Sequence, residues 1–169
     1  MSAALRLVQK ISATRAFAKA APHVIPAVDR AVHRLTGGKV LPSARMLPGL
    51  VLTVRGARTG LPRRTPLACV PEKASVKASQ EAGTWLLVGS NFGRPAHPAW
   101  TTNLLAHPDA EVSLHGETIP VRATLLTGEL RATAWESALR FWPPYAAYQA
   151  RVPREIRVFR LTRREVSDA

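Results

Sequence analysis

The spacing of apolar positions changes character near residue 49. Upstream, residues 3–19 (AALRLVQKISATRAFAK) set Leu7, Ile11 and Ala18 near one face and Arg6, Lys10 and Arg15 elsewhere, which predicts an amphipathic helix. A second helix is expected over about 22–36, opened by Pro22 and stopped by Gly37-Gly38. Downstream the period is that of strands, predicted at 50–55, 65–71, 83–90, 110–115, 118–126 and 156–162. In TIPVRATLL, Ile119, Val121, Ala123 and Leu125 alternate with more polar positions, as in a half-buried strand. His115-Gly116-Glu117 marks a tight hairpin between two of them. Residues 73–82 (KASVKASQEA) read as a polar loop.

Two helices interrupt the strands. One is expected at 98–106, with Pro98 in its first turn and His107-Pro108 at its end. The other covers about 129–141, where Trp135, Ala138, Leu139 and Trp142 recur at helical spacing. The strand and helix segments alternate too rarely for a doubly wound parallel sheet. The pattern predicts a mainly β protein: a basic helical extension over 1–48, then a small barrel domain over 49–165.

Composition sharpens this picture. At 169 residues and 46% hydrophobic content, the chain is long enough and apolar enough for one packed core. Lys and Arg total 24 against 11 Asp and Glu, a formal net charge of +13. Such an excess favours an anionic partner: nucleic acid, an acidic membrane face or a phosphorylated small molecule. Residues 1–48 hold eight bases and one acid, Asp29, so this segment either packs on the domain or lies against an anionic membrane surface. The first 28 residues lack any acid, as in a mitochondrial presequence, but charges interrupt every apolar run that a secretory signal would need. No segment approaches the roughly 18 uninterrupted apolar residues of a spanning helix. Cys69, the single cysteine, excludes an intrachain disulfide, argues against a zinc site, and reads as a small buried hydrophobe in a reducing cytosol.

Familiar catalytic motifs are missing. There is no G-x-S-x-G, Walker lysine loop, H-E-x-x-H or G-x-G-x-x-G. The histidines are scattered, with His97 and His107 at helix boundaries, and no acid pair is placed for hydrolysis. An enzyme built this way depends on a bound cofactor for its chemistry. Three stretches stand out. RGARTGLPRRTPL (55–67) holds four arginines, two glycines and two prolines between strands, with no acid. Glycine lets backbone N–H groups approach an anion, and Arg58, Arg63 and Arg64 supply charge-assisted hydrogen bonds; a solvated hairpin is the alternative. SNFGRPAHPAWTTNL (90–104) leads from a strand into a helix whose N-terminus offers free N–H groups, with Trp100 as a core anchor or a flat wall for a planar ring. FWPPYAAYQ (141–149) spaces Trp142, Tyr145 and Tyr148 three residues apart, for packing or for a tyrosine hydroxyl in a cleft.

In this order and at these separations, the three stretches resemble the deazaflavin-dependent nitroreductase family, whose members bind reduced coenzyme F-420. The matching runs are Gly56-Ala57-Arg58-Thr59-Gly60-Leu61-Pro62-Arg63-Arg64-Thr65-Pro66-Leu67, then Pro98-Ala99-Trp100-Thr101-Thr102-Asn103-Leu104, then Tyr145 and Tyr148 with Trp142 one turn earlier. The resemblance covers about residues 30–162. It implies a split β-barrel of the flavin-reductase and FMN-binding type, with N-terminal helices and one or two inserted helices. It further implies that Arg58, Thr59, Gly60, Leu61, Pro62 and Arg63 hold the anionic arm of the coenzyme, a phosphodiester and glutamate tail. Pro66, Leu67, Val88, Gly89, Ser90, Asn91, Ala99, Trp100 and Asn103 would flank the ring. Trp100, Trp142, Tyr145 and Tyr148 would line an acceptor pocket, with a proton coming from Tyr145, Ser90 or water. This chain departs from the family pattern at Ala57, where arginine is common, at Asn91 and Phe92, and at Thr101.

The resulting expectation is an oxidoreductase that passes a hydride from coenzyme F-420 to a small lipophilic acceptor such as a quinone, enone or nitroaromatic. No metal is expected. FMN in place of the deazaflavin is the first alternative; a non-catalytic coenzyme carrier or membrane-surface module is the second. A nucleic-acid partner is set aside, since the arginines flank Gly/Pro turns without an aromatic platform. The expected location is cytoplasmic, with peripheral contact at the inner membrane face through the basic helices. The sequence leaves the physiological acceptor and the oligomeric state open.

Overall fold

The computed structural model describes residues 3–14, 16–17, 20, 24, 49–70, 72, 82–114 and 116–164. Apart from Val24, the helix expected at 22–36 lies outside these residues, as does most of the polar loop at 73–82. Six strands form one antiparallel sheet: β1 (Gly49–Arg55), β2 (Pro62–Ala68), β3 (Thr84–Val88), β4 (Asp109–Leu114), β5 (Glu117–Leu125) and β6 (Val158–Arg163). Their order is β2-β1-β4-β5-β6-β3. An isolated bridge between Val70 and Leu86, with N–H to carbonyl distances of 3.0 and 3.2 Å, joins the outer edges and curls the sheet toward a barrel. The fold is the mainly β, split-barrel type that the sequence implies.

Each strand follows from its alternation. Leu50, Leu52 and Val54 of β1 point inward with Val112 of β4 and Ile119, Val121 and Ala123 of β5. Gly116, at φ +87°, makes the tight turn that pairs Leu114 with Glu117. In β3, Trp85 and Leu87 join this inner cluster while Leu86 faces the opposite side. The unbroken apolar run TWLLV is therefore a strand buried on both faces.

Helices with both ends among the described residues are α1 (Ala3–Ser12), α2 (Ala99–Ala106), α3 (Gly128–Phe141) and α4 (Pro144–Ala150). Helix α2 plugs the barrel with Trp100 and Leu104. Helices α3 and α4 cover the outer side of β3 and β6, where Ala134, Ala138, Trp142, Tyr145 and Tyr148 pack with Val70, Leu86, Ile156 and Val158.

Most expected boundaries move by one or two residues, and those of strand β2 and the first helix move further. Strand β2 begins at Pro62 rather than Thr65, because Arg55–Pro62 and Val54–Arg63 already pair across the hairpin. The first helix ends at Ser12 instead of reaching residue 19. Thr14 Oγ1 donates to the Ile11 carbonyl at 2.8 Å and accepts the Phe17 N–H at 3.2 Å, giving the backbone an alternative to helix continuation. Helix α1 packs on the body: Val8 lies against the outer cluster, Arg151 bonds the Ala13 carbonyl, and the Phe17 and Phe92 rings meet edge to face with centroids 5.8 Å apart.

Candidate active site

The arginine stretch is a tight loop, Gly56–Leu61, closing the β1–β2 hairpin. Gly56 N–H donates to the Leu61 carbonyl at 2.9 Å and Gly60 N–H to the Gly56 carbonyl at 2.8 Å. Gly60 adopts φ +67°, a left-handed turn that favours glycine. A Cβ on Gly56 would stand 2.9 Å from Thr59 Oγ1 and 3.3 Å from the Leu61 carbonyl oxygen, a tight fit that favours glycine. The alternation of β2 separates the two arginines that follow. Arg63 pairs with the inward-facing Val54, whereas Arg64 pairs with Thr53 on the opposite face. Arg63 reaches back to Thr59 Oγ1 at 3.5 Å, the outer limit of a hydrogen bond, while Arg64 is directed elsewhere.

This loop suits an anion. Arg58, Arg63 and Arg64 are exposed and make no ion pair among the described residues. The Arg58 and Thr59 amides make no hydrogen bond among the described residues. Free consecutive N–H groups beside guanidinium groups form the kind of nest that receives a phosphate or carboxylate. The anionic arm of coenzyme F-420 fits this donor set.

Helix α2 connects the loop to the second stretch. Asn103 Oδ1 accepts the Ala57 N–H at 2.9 Å, fixing the loop to the middle of the helix. At the other end, Gly89 lies so close to Thr101 that a Cβ would meet Thr101 Cγ2 at 2.7 Å. Arg157 Nη1 donates to Thr101 Oγ1 at 3.2 Å, and the Arg157 carbonyl accepts the Gly89 N–H at 2.8 Å. One helix thereby gathers the arginine loop, the end of β3 and the loop beginning at Ser90. Ala99 is exposed and Asn103 half-buried, while Trp100 turns into the barrel at 6% exposure against Phe159. Trp100 is a core anchor.

After Ser90 the chain makes a short 3-10 turn, Asn91–Gly93. Asn91, Phe92 and Gly93 all have positive φ, at 49°, 55° and 72°. Asn91 Nδ2 donates to the Ala96 carbonyl at 2.9 Å. His97 lies 3.2 Å from Arg154, and burial, then Arg157 and Arg154, lower its pKa and favour the neutral imidazole.

The third stretch sits elsewhere. Trp142, Tyr145 and Tyr148 belong to the outer cluster, whereas Trp100 belongs to the inner one, so these four do not form a single lining. The alternation of β3 sets the two clusters on opposite faces of the sheet. Tyr148 does approach the Ser90 loop from behind: its ring is 6.1 Å from Phe92, and its backbone is 2.8 Å from where a Gly93 Cβ would stand. Tyr145 is 5% exposed and packs on Trp135 and Tyr148. Burial, helped by Tyr148 and Cys69, raises its hydroxyl pKa, so it holds its proton tightly. Cys69 is buried in the inner cluster, its thiol pushed up to about 12 by burial, which disfavours the reactive thiolate.

Sequence reasoning missed Arg154, Arg157 and the tie made by Asn103. Arg154 stands alone between Pro153 and Glu155, a context with no motif, and its partners are carbonyls some 60 residues away in the chain. No group of three or more His, Cys, Asp or Glu able to hold a metal occurs among the described residues.

Comparison with known proteins gives the family. The sequence profile of the F420H(2)-dependent quinone reductase family matches residues 27–163. An F420H(2)-dependent quinone reductase of Mycobacterium tuberculosis strain H37Rv is 32% identical over 144 residues, spanning 79% of this chain and 87% of that one. The solved structure of an F420-H2 dependent reductase superposes with a TM-score of 0.57 at 35% identity, covering 68% of this chain and 93% of that one. Another solved structure, a domain-swapped dimer, gives a TM-score of 0.59 at 31% identity, covering 80% and 97%. The chain belongs to the F420H(2)-dependent quinone reductase family of oxidoreductases.

Proposed function

We propose that this protein reduces a quinone at the expense of reduced coenzyme F-420, in a site organised by helix α2. The observation that carries this reading is the convergence on α2: Asn103 bonds the arginine loop, and Thr101 packs closely on Gly89 at the end of β3, just before Ser90. Arg58, Arg63 and the free amides of Arg58 and Thr59 hold the anionic arm, with Gly60, Leu61 and Pro62 shaping the turn around it. Leu67, Gly89, Ser90, Asn91 and Ala99 border the ring, and Asn103 ties the loop to the helix, whereas Pro66 and Val88 lie on the outer faces of their strands. Trp100 supports the ring site from the core.

When bound, the reduced coenzyme supplies a hydride. The protein's own part is to orient the acceptor, exclude water and provide a proton for the acceptor oxygen. Ser90, half-buried at the mouth of the loop, is the better placed donor or relay; the deep burial of Tyr145 assigns it to packing against Tyr148 and Trp135. Phe92, half-buried between Phe17 and Tyr148, is the aromatic side chain of the Ser90 loop.

Coenzyme binding followed by fluorescence, run beside FMN, tests the reading. Tight binding of coenzyme F-420 and weak binding of FMN are expected, with affinity falling about 10- to 100-fold in an Arg58→Ala/Arg63→Ala variant because each loses charge-assisted hydrogen bonds. Tight FMN binding alone, or an unaffected variant, overturns the cofactor assignment. Turnover with a lipophilic quinone is then expected; binding without turnover across an acceptor panel identifies a carrier instead.

The basic N-terminal segment supports a peripheral encounter with an anionic membrane, where lipophilic quinones reside. Ile11 of α1 is 48% exposed beside Lys10 although the helix is docked through Val8. Co-sedimentation with anionic vesicles that disappears on deletion of residues 1–20 supports this; equal sedimentation of both forms refutes it.

A further inference from the structure

The loop from Ser90 to His97 has an unfavourable backbone, and its own bonds are few. Asn91 and Phe92 are both left-handed, a conformation disfavoured for L-residues and most of all for a bulky one such as Phe92. Internally the loop is closed by Gly93 N–H to the Ser90 carbonyl at 3.0 Å, Arg94 N–H to the Asn91 carbonyl at 3.0 Å, and the Asn91 side chain to Ala96. The Phe92 carbonyl accepts from Arg151 Nη1 at 3.3 Å, while the Ser90, Arg94 and Pro95 carbonyls turn toward one guanidinium. Arg154 Nε donates to the Pro95 carbonyl at 2.9 Å and lies 3.3 Å from that of Arg94. Its Nη2 donates to Ser90 and Arg94 carbonyls, both at 3.0 Å. Its Nη1 sits 3.2 Å from His97 Nδ1 and 3.5 Å from the Gly89 carbonyl.

This is an uncommon use of an arginine. No carboxylate pairs with Arg154 among the described residues, and its charged neighbours are Arg157 and, when protonated, His97. Those neighbours oppose the guanidinium charge. What holds the side chain is a planar fork of five N–H donors meeting a ring of carbonyl dipoles, geometry that a lysine ammonium cannot reproduce.

We propose that Arg154 is a positioning residue, which imposes the left-handed conformation of the Ser90–His97 loop and so sets the affinity of the ring site bordered by Ser90 and Asn91. The proposal rests on the functional reading above for its second half. The first half concerns the protein alone. A purely electrostatic role would be served by lysine; a forked clamp would not.

The test compares wild type with Arg154→Lys and Arg154→Met, using amide hydrogen exchange without ligand and coenzyme F-420 titration. In both variants exchange at residues 89–97 should rise tenfold or more, while amides of β1, β4 and β5 keep wild-type rates. Coenzyme affinity should fall at least tenfold, with Arg154→Lys no better than Arg154→Met. Wild-type exchange and affinity in Arg154→Lys overturns the clamp, and so does a uniform rise in exchange across the sheet. Local loosening with unchanged affinity overturns the link to the ring site. If Arg154→Met fails to fold, Arg154→Lys decides the matter alone. If wild-type protein itself binds no coenzyme F-420, the functional reading and the link to the ring site both fail, and the exchange comparison still decides whether Arg154 holds the loop.

Discussion

At the scale of single residues, the candidate site depends on neutral hydrogen bonds as much as on its arginines. Asn103 contributes no charge, yet its side-chain carbonyl oxygen accepts the Ala57 N–H of the β1–β2 loop. Replacing it by alanine removes one hydrogen bond to the backbone, a change of about 0.5–1.5 kcal/mol. Asn103→Ala should weaken coenzyme binding several-fold with little change in urea midpoint, because the loop is exposed and the helix stays packed through Trp100 and Leu104. An unchanged dissociation constant would show that the loop holds its position alone. Cys69 gives a pH prediction. Its thiol pKa is about 12 in the fold and 9.0 ordinarily, so between these values the folded chain keeps a proton that the unfolded chain releases. Stability from this group is complete below pH 9 and is lost as pH rises toward 12. Urea unfolding at pH 8 and 10.5 should show wild type losing more stability than Cys69→Ala over that interval; equal losses would contradict it.

At the scale of elements, the loop after β3 and helix α4 depend on each other through contacts that admit almost no side chain. Gly93 sits at φ +72°, with the Tyr148 carbonyl oxygen and Cα at 2.8 and 2.9 Å from a hypothetical Cβ. Backbone cannot move aside as a flexible side chain can. Gly93→Ala therefore combines a left-handed alanine with a steric clash and should cost about 2 kcal/mol or more. Calorimetry should show a lowered Tm, and near-ultraviolet dichroism should report disturbed packing of Tyr148 and Phe92. A Tm within a degree of wild type would mean that α4 shifts freely, contrary to its burial through Tyr145 and Tyr148. Helix α1 is a softer attachment, held by Val8, the Arg151 bond to the Ala13 carbonyl and the Phe17–Phe92 contact.

For the whole molecule, charge is the dominant variable. A net +13 places a positive potential over the surface on which the arginine loop stands. Exposed charges are screened over about 10 Å at 0.1 M salt, so much of this attraction is removable. Raising NaCl from 50 to 500 mM should weaken binding of the anionic coenzyme about tenfold, chiefly through a slower association rate in stopped flow. An affinity indifferent to salt would indicate that the ring carries the binding. The curled sheet gives this surface a rigid base, since β3 and β6 are buried on both faces and belong to two cores at once.

The strands were legible because each has a period of two and a bounded length. The inner positions Leu50, Leu52, Val54, Ile119, Val121 and Ala123 read directly as one face. The arginine loop was legible because its chemistry is local: glycines for the turn and guanidinium groups for an anion, within thirteen residues. The family pattern then joined three such stretches in order. What the sequence alone could not order was everything set by distance across the fold. The alternation of β2 sends Arg63 and Arg64 to opposite faces, and the two-sided burial of β3 parts Trp100 from Trp142, Tyr145 and Tyr148. Arg154 reaches carbonyls some 60 residues upstream because β6 pairs with β3 and carries the preceding turn to the end of that strand. Periodicity reports which face a residue takes relative to its neighbours in the chain. Which distant group meets it there depends on strand pairing and on the closure of the sheet, and those are decided only when the whole core packs.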